Sequence, residues 1–155
     1  MSWDAIGAVG EIRGAFAVVG SLVYLGSQIR VQNREARVAS VHEASEAYRT
    51  SIAVLQDPEM ADLHIRALNN FDEFTPADRL RYIVFLLGIF KVWEEAYYQW
   101  REDRMDQEAW ESMLAPLADV MSNDGPRKVW ELRKHQFRPD FADYIDGVET
   151  GEYRI

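Results

Sequence analysis

At 155 residues the chain can bury one sizeable core and carry an appendage, because domains commonly run to about 100–150 residues. Its 48% hydrophobic and 28% charged residues, with five Trp, seven Tyr and seven Phe, exclude a disordered chain, and the formal net charge of −9 disfavours nucleic acid as a partner because an acidic body repels phosphate. Cysteine is absent, which excludes disulfides, thiolate zinc sites and cysteine nucleophiles.

From Ala5 to Ile29 the chain reads AIGAVGEIRGAFAVVGSLVYLGSQI, with Glu11 and Arg13 its only ionisable residues. At 1.5 Å per residue, a stretch of about 25 residues matches the hydrocarbon core of a bilayer. Trp3 and Tyr24 bracket it roughly 30 Å apart, where interfacial aromatic anchors sit. Gly14 to Gly26 alone is too short to span, so a crossing requires residues 5–13 as well. Arg30, Arg34 and Arg37 follow the apolar run, whereas Asp4 precedes it; the positive-inside rule then places the C-terminal part in the cytosol. A cleavable signal peptide fits poorly, since it needs a basic start and a small-residue cleavage site. The expected organisation is a transmembrane helix over residues 1–30 and an acidic cytosolic helical domain over 31–155. The expected location is the inner (cytoplasmic) membrane, single-pass, with the N-terminus outside.

Small residues recur at Gly7, Gly10, Gly14, Ala17 and Ser21, alternating by three and four along one helical face. Such a stripe lets helices approach closely and predicts self-association in the bilayer. Glu11 and Arg13 fall roughly 80° to either side of its centre at 100° per residue, so Glu11 of one helix can meet Arg13 of a neighbour and neutralise both charges. With Gln28 these are the expected intramembrane polar residues; Trp3, Tyr24, Arg30 and Arg34 are the interfacial anchors.

No Pro or Gly occurs between Gly26 and Pro58, so the first helix is expected to run on, with Val38, Val41, Ser45, Tyr48, Ile52 and Leu55 as an apolar seam. Asp57-Pro58 ends it, and PEMADLHIRALNN reads as a short second helix. Thr75-Pro76-Ala77-Asp78 is a helix start, a capping hydroxyl followed by a proline pre-set for the first turn. The run YIVFLLGIF beyond it, apolar all round, predicts burial on every side, and KVWEEAYYQWREDRM continues it amphipathically. Asp106 caps a fourth helix in which Pro116 is expected to force a kink or a restart. Asn123-Asp124-Gly125-Pro126 reads as a turn before a fifth helix, PRKVWELRKHQF, and Arg138-Pro139-Asp140 begins a last short one. The fold class is all-α: a long N-terminal transmembrane helix continuing into a cytosolic bundle of about five helices.

Chemistry-bearing patterns are few. Glu131 and His135 stand four apart, but two ligands do not make a metal site and a helix-stabilising pair is the ordinary reading. His42-Glu43-x-x-Glu46 lacks the second histidine of a zinc-protease motif, and the paired Glu-x-x-His motifs of di-iron bundles are missing. Glu94 and Glu95 adjoin the most apolar segment, where a carboxylate serves either proton transfer or, more commonly, a salt bridge to Arg49, Arg101 or another bundle arginine. Trp93, Tyr97, Tyr98, Trp100, Trp110 and Trp130 form an aromatic set that lines either a core or a groove. No phosphate loop, nucleophile elbow or catalytic triad can be assembled, so no enzyme, cofactor or metal is expected.

Taken with the start SWDAIGAVGEI, the run GAFAVVGSLVYLGSQIR, the block FKVWEEAYYQW and the ending WELRKHQFRPDF, nearly the whole chain resembles a set of uncharacterised bacterial single-pass membrane proteins with an N-terminal hydrophobic helix and a small cytosolic helical domain. That resemblance implies that Glu11 and Gln28 are positions worth testing, while Arg13 is less expected in such a helix. The expected function is a homo-oligomeric membrane protein of pore- or channel-like type, with the lipid bilayer, further copies of itself and other membrane subunits as partners. An accessory or scaffold subunit of a larger membrane complex, and a soluble helical-bundle interaction protein, are the alternatives.

Overall fold

The structure, a computed structural model, describes residues 3–150; for residues 3–12 and 15 it describes the backbone alone. With no proline before Pro58 and no glycine between Gly26 and Pro58, nothing breaks the first helix, and α1 runs over Trp3–Ile52. A 3-10 turn, Ala53–Gln56, leads into α2 (Pro58–Asn70), and a second, Phe71–Glu73, leads to α3 (Pro76–Arg101). Then come α4 (Gln107–Met121), α5 (Asp124–Arg133), a third 3-10 turn at Lys134–Gln136, and α6 (Pro139–Asp146). The fold is all-helical, and no strand occurs among the described residues. One compact unit ends at Val38 and a second begins at Ala39.

The helix starts follow local chemistry. Asp57 accepts from the Met60 N–H at 3.0 Å, Thr75 Oγ1 from Asp78 N–H at 3.1 Å, and Asp106 from Ala109 N–H at 2.8 Å. Each satisfies an otherwise orphaned donor, worth about 1 kcal/mol per cap. Asn123 holds the N-cap position of α5 in extended geometry without a side-chain cap bond, and Gly125 and Pro126 belong to the helix rather than to a preceding turn. Packing supplies the reason: a Cβ at Gly125 would lie 1.9 Å from the Ala67 carbonyl oxygen, so α5 seats against the α2 backbone where only glycine fits.

In the second unit α3 is the axis. Tyr82, Leu86, Phe90, Trp93 and Tyr97 are fully buried. Trp93 meets Tyr48 of α1 at 5.8 Å, Phe90 meets Trp130 of α5 at 5.2 Å, and Tyr97 meets Phe141 and Tyr144 of α6 at 5.4 and 5.1 Å. Ring pairs at such spacings add about 0.5–1.5 kcal/mol each beyond area burial. Tyr82 also stands 3.3 Å from His64 Nδ1 on α2, and burial lowers the His64 pKa from its ordinary value.

Several sequence expectations need correction. The run from Tyr82 to Phe90 is not buried on every side: Leu80, Val84 and Gly88, four apart, form an exposed stripe, because neighbouring helices cover only part of the α3 circumference. The expected α1 seam is met only from Val41 onward: Val41, Ser45, Tyr48, Ile52 and Leu55 are half-buried, Ser40 and Ala44 beside them are buried, and Val38 is exposed. α4 continues through Pro116 rather than restarting there. The carbonyl it deprives of a donor belongs to exposed Ser112, where water can serve instead. As to the expected spanning helix, no helix among the described residues is long and apolar enough to cross a membrane.

Two glycine substitutions separate packing from propensity. Gly88→Ala, at an exposed helical position with nothing within 4 Å of the added methyl, is expected to stabilise the fold by about 0.5–1 kcal/mol. Gly125→Ala is expected to destabilise it by about 1–3 kcal/mol or more as α5 is forced off α2. Urea unfolding followed by circular dichroism reads both.

Candidate functional site

Two surface features stand apart from the core, one in each unit. The first lies on α1. From Phe16 to Val31 the large apolar side chains are 52–74% exposed. The serines among them do not relieve that character, because Ser21 donates to the Ala17 carbonyl at 2.8 Å and Ser27 to the Tyr24 carbonyl at 2.7 Å. Their hydroxyls are thus satisfied within the helix. A methyl group added at Gly14, Gly20 or Gly26 would meet nothing within 4 Å, so the face carrying Gly14, Ala17 and Ser21 is open to close approach. A continuous apolar surface of this kind is unusual for a water-facing helix, which keeps a polar stripe.

Among the expected site residues, Arg13, Tyr24, Gln28, Arg30 and Arg34 are all exposed on α1, as are Gly14, Ala17 and Ser21. The side-chain positions of Trp3, Gly7, Gly10 and Glu11 lie outside the described residues, so the Glu11–Arg13 pairing does too. Only the helical backbone is described there.

The second feature is an open groove of about 700 Å³ between α3 and the segment leading into α6, lined by Lys91, Glu94, Tyr98, His135, Phe137 and Arg138 among others. Its polar groups are largely engaged with one another. Glu94, whose side chain is only 12% exposed, receives Lys91 Nζ at 2.7 Å and the Arg138 backbone N–H at 2.9 Å. Lys91 also donates to the Gln136 carbonyl at 3.1 Å and sits 4.1 Å from the Phe137 ring centre. The Arg138 guanidinium lies 3.9 Å over the Tyr98 ring, and Tyr98 donates to the Asp140 carboxylate at 2.7 Å. Burial, and then this bond to the carboxylate, push the Tyr98 hydroxyl pKa up. The same hydrogen bond, helped by Arg138, holds the Asp140 pKa below the usual carboxylate range. These contacts clasp α6 onto α3.

Sequence reasoning identified Glu94 but assigned the wrong partner. Arg49 pairs with Glu46 at 2.8 Å, and Arg101 donates to the Tyr97 hydroxyl at 2.9 Å. Lys91 and the Arg138 backbone take Glu94 instead, since they share its side of the fold. Glu131 and His135 do not share a helical face either. α5 ends at Arg133 and His135 sits in a 3-10 turn, so Glu131 pairs with Lys134 at 3.1 Å and His135 faces the groove. Of the aromatic set, Trp93, Tyr97, Trp110 and Trp130 are core, and only Tyr98 lines the groove. The stacking of Arg138 on Tyr98 was missed; the two residues lie far apart in the chain, which leaves no local signal for it. No cluster of three or more His, Asp or Glu side chains able to hold a metal ion is present among the described residues.

No family model matches the chain, and neither curated proteins nor solved structures show a match to it.

The coupling of Tyr98 to Asp140 has a measurable consequence. Tyr98→Phe removes the largest influence lowering the Asp140 pKa, which should rise towards its ordinary value of about 3.9, as read by carboxyl NMR titration. A folded-state pKa below the unfolded one gives stability that is present above about pH 4 and lost on further acidification. The variant should therefore lose less stability than the parent as pH falls below about 4.

Proposed function

We propose that the chain is a single-pass protein of the cytoplasmic membrane that self-associates through the small-residue face of α1 and holds its acidic helical domain, residues 31–155, on the cytosolic side. The observation that carries this proposal is the exposed apolar belt from Phe16 to Val31. At roughly 25 cal/mol per Å² of apolar area, a belt of this extent is costly in water and favourable in lipid or against like helices. The described part of the belt is shorter than a span, so crossing requires residues 5–12 to enter the bilayer with it. Arg30, Arg34 and Arg37 at its C-terminal end favour a cytosolic domain. The resemblance to single-pass bacterial proteins points the same way. In an assembled helix cluster, Glu11, Arg13 and Gln28 would be the polar positions of a pore-like path.

Fractionation of cells producing the full chain tests the anchor. The parent is expected with membranes and to resist salt extraction. Val19→Asp combined with Leu22→Asp should release it, because each aspartate near a helix centre costs about 2.5–3.5 kcal/mol on insertion. In detergent, Gly14→Leu should reduce the oligomer size by blocking close approach. A parent chain that stays in the soluble fraction without detergent refutes the proposal.

A further inference from the structure

Arg30, Arg34 and Arg37 stand at i, i+4 and i+7 on α1. At 100° per residue, this confines three guanidinium groups to an arc of about 60°. All three are exposed, and none makes an ion pair or side-chain hydrogen bond among the described residues. Glu35, the acid within this stretch, falls about 130° from the centre of the arc and leaves the face uniformly positive. In the second unit all three lysines of the chain, Lys91, Lys128 and Lys134, are held by carboxylates.

The basic face begins where the apolar belt ends. Ile29 and Val31, the last large members of the belt, are 56% and 52% exposed and flank Arg30. Arg30 and Arg37 are about 10 Å apart along the helix axis. A headgroup layer is roughly 5–8 Å deep on each side of the hydrocarbon, and arginine stems can bend back towards it, so all three guanidinium groups can reach phosphate level.

We infer that Arg30, Arg34 and Arg37 form a recognition face for the phosphates of anionic lipids at the cytosolic surface. This inference rests on the membrane anchoring proposed above. Guanidinium groups bind phosphate through paired N–H donors and remain charged at every accessible pH. Lipid fits better than nucleic acid for two reasons: the face is continuous with an apolar belt, and 23 of the 26 acidic residues lie beyond residue 38, where they would repel a polyanion.

Flotation of the full-length chain with phosphatidylcholine vesicles, with and without phosphatidylglycerol, tests this. The parent should prefer the anionic vesicles by about a hundredfold, roughly fivefold per arginine, and the preference should shrink as salt screens the charges. The triple variant R30Q/R34Q/R37Q should lose the preference while still floating with phosphatidylcholine, whereas R30K/R34K/R37K should retain most of it. Equal binding of the parent to both vesicles, or a preference that survives in the glutamine variant, overturns the inference and leaves the anchor standing. Failure of the parent to float with either vesicle overturns the anchoring proposal and this inference with it. If the glutamine variant instead loses self-association in detergent with its lipid preference intact, the occupant is the acidic surface of a second copy, and the lipid assignment is wrong.

Discussion

The second unit is organised by the need to find an acceptor for every indole N–H that its core encloses. Trp93, Trp110 and Trp130 are fully buried, and indole nitrogen donates but does not accept, so each must meet an oxygen or lose about 1–3 kcal/mol. Trp93 of α3 donates to the Met113 carbonyl of α4 at 3.0 Å, Trp110 of α4 to the Tyr144 hydroxyl of α6 at 3.0 Å, and Trp130 of α5 to Asp146 of α6 at 2.8 Å. Those three bonds set the placement of α4 and α6. Burial works against the Asp146 charge, but the bonds from Trp130 and Lys134 hold its pKa below the ordinary value. With α6 docked, Asp140 reaches Tyr98 and Glu94 reaches the Arg138 backbone, so the groove follows from the packing of the core.

The two units solve the problem of apolar surface in different ways. In the second, α2 to α6 and the end of α1 bury their aromatic and aliphatic residues in one cluster with bonded polar tips. In the first, the large apolar side chains of the belt from Phe16 to Val31 stand exposed on a single helix. A lone helix cannot hide an all-round apolar surface from water, whatever its internal hydrogen bonds, because its backbone satisfies only itself. That surface is the ground for the anchoring proposed above, and charge is segregated along the chain in the same way: acidic residues concentrate beyond residue 38, while a basic face closes the belt.

Helix starts were legible in the sequence wherever one side chain decided them. Thr75 and Asp106 cap as expected because an N-cap bond reaches only three residues along the chain, and Asp57, read only as the end of the first helix, caps the second in the same way. The Gly125 helix start was misread as a turn, since glycine and proline favour turns locally and only the Ala67 carbonyl of α2 explains why glycine is required within the helix. Burial of the Tyr82–Phe90 run was overstated for a similar reason: composition reports how apolar a segment is, not how many neighbours surround it.

By itself, the sequence determined the all-helical class, the helix caps, the apolar character of residues 14–31 and the separation of basic and acidic charge, all of which depend on residue type and short-range spacing. Tertiary structure decided which side of α3 stays exposed, which carboxylate receives Trp130, that the Arg138 backbone N–H reaches Glu94, and that Arg138 stacks on Tyr98. Each of those contacts joins residues on different helices or at a helix boundary. Their geometry is set by how whole helices pack, and local propensity carries no information about it.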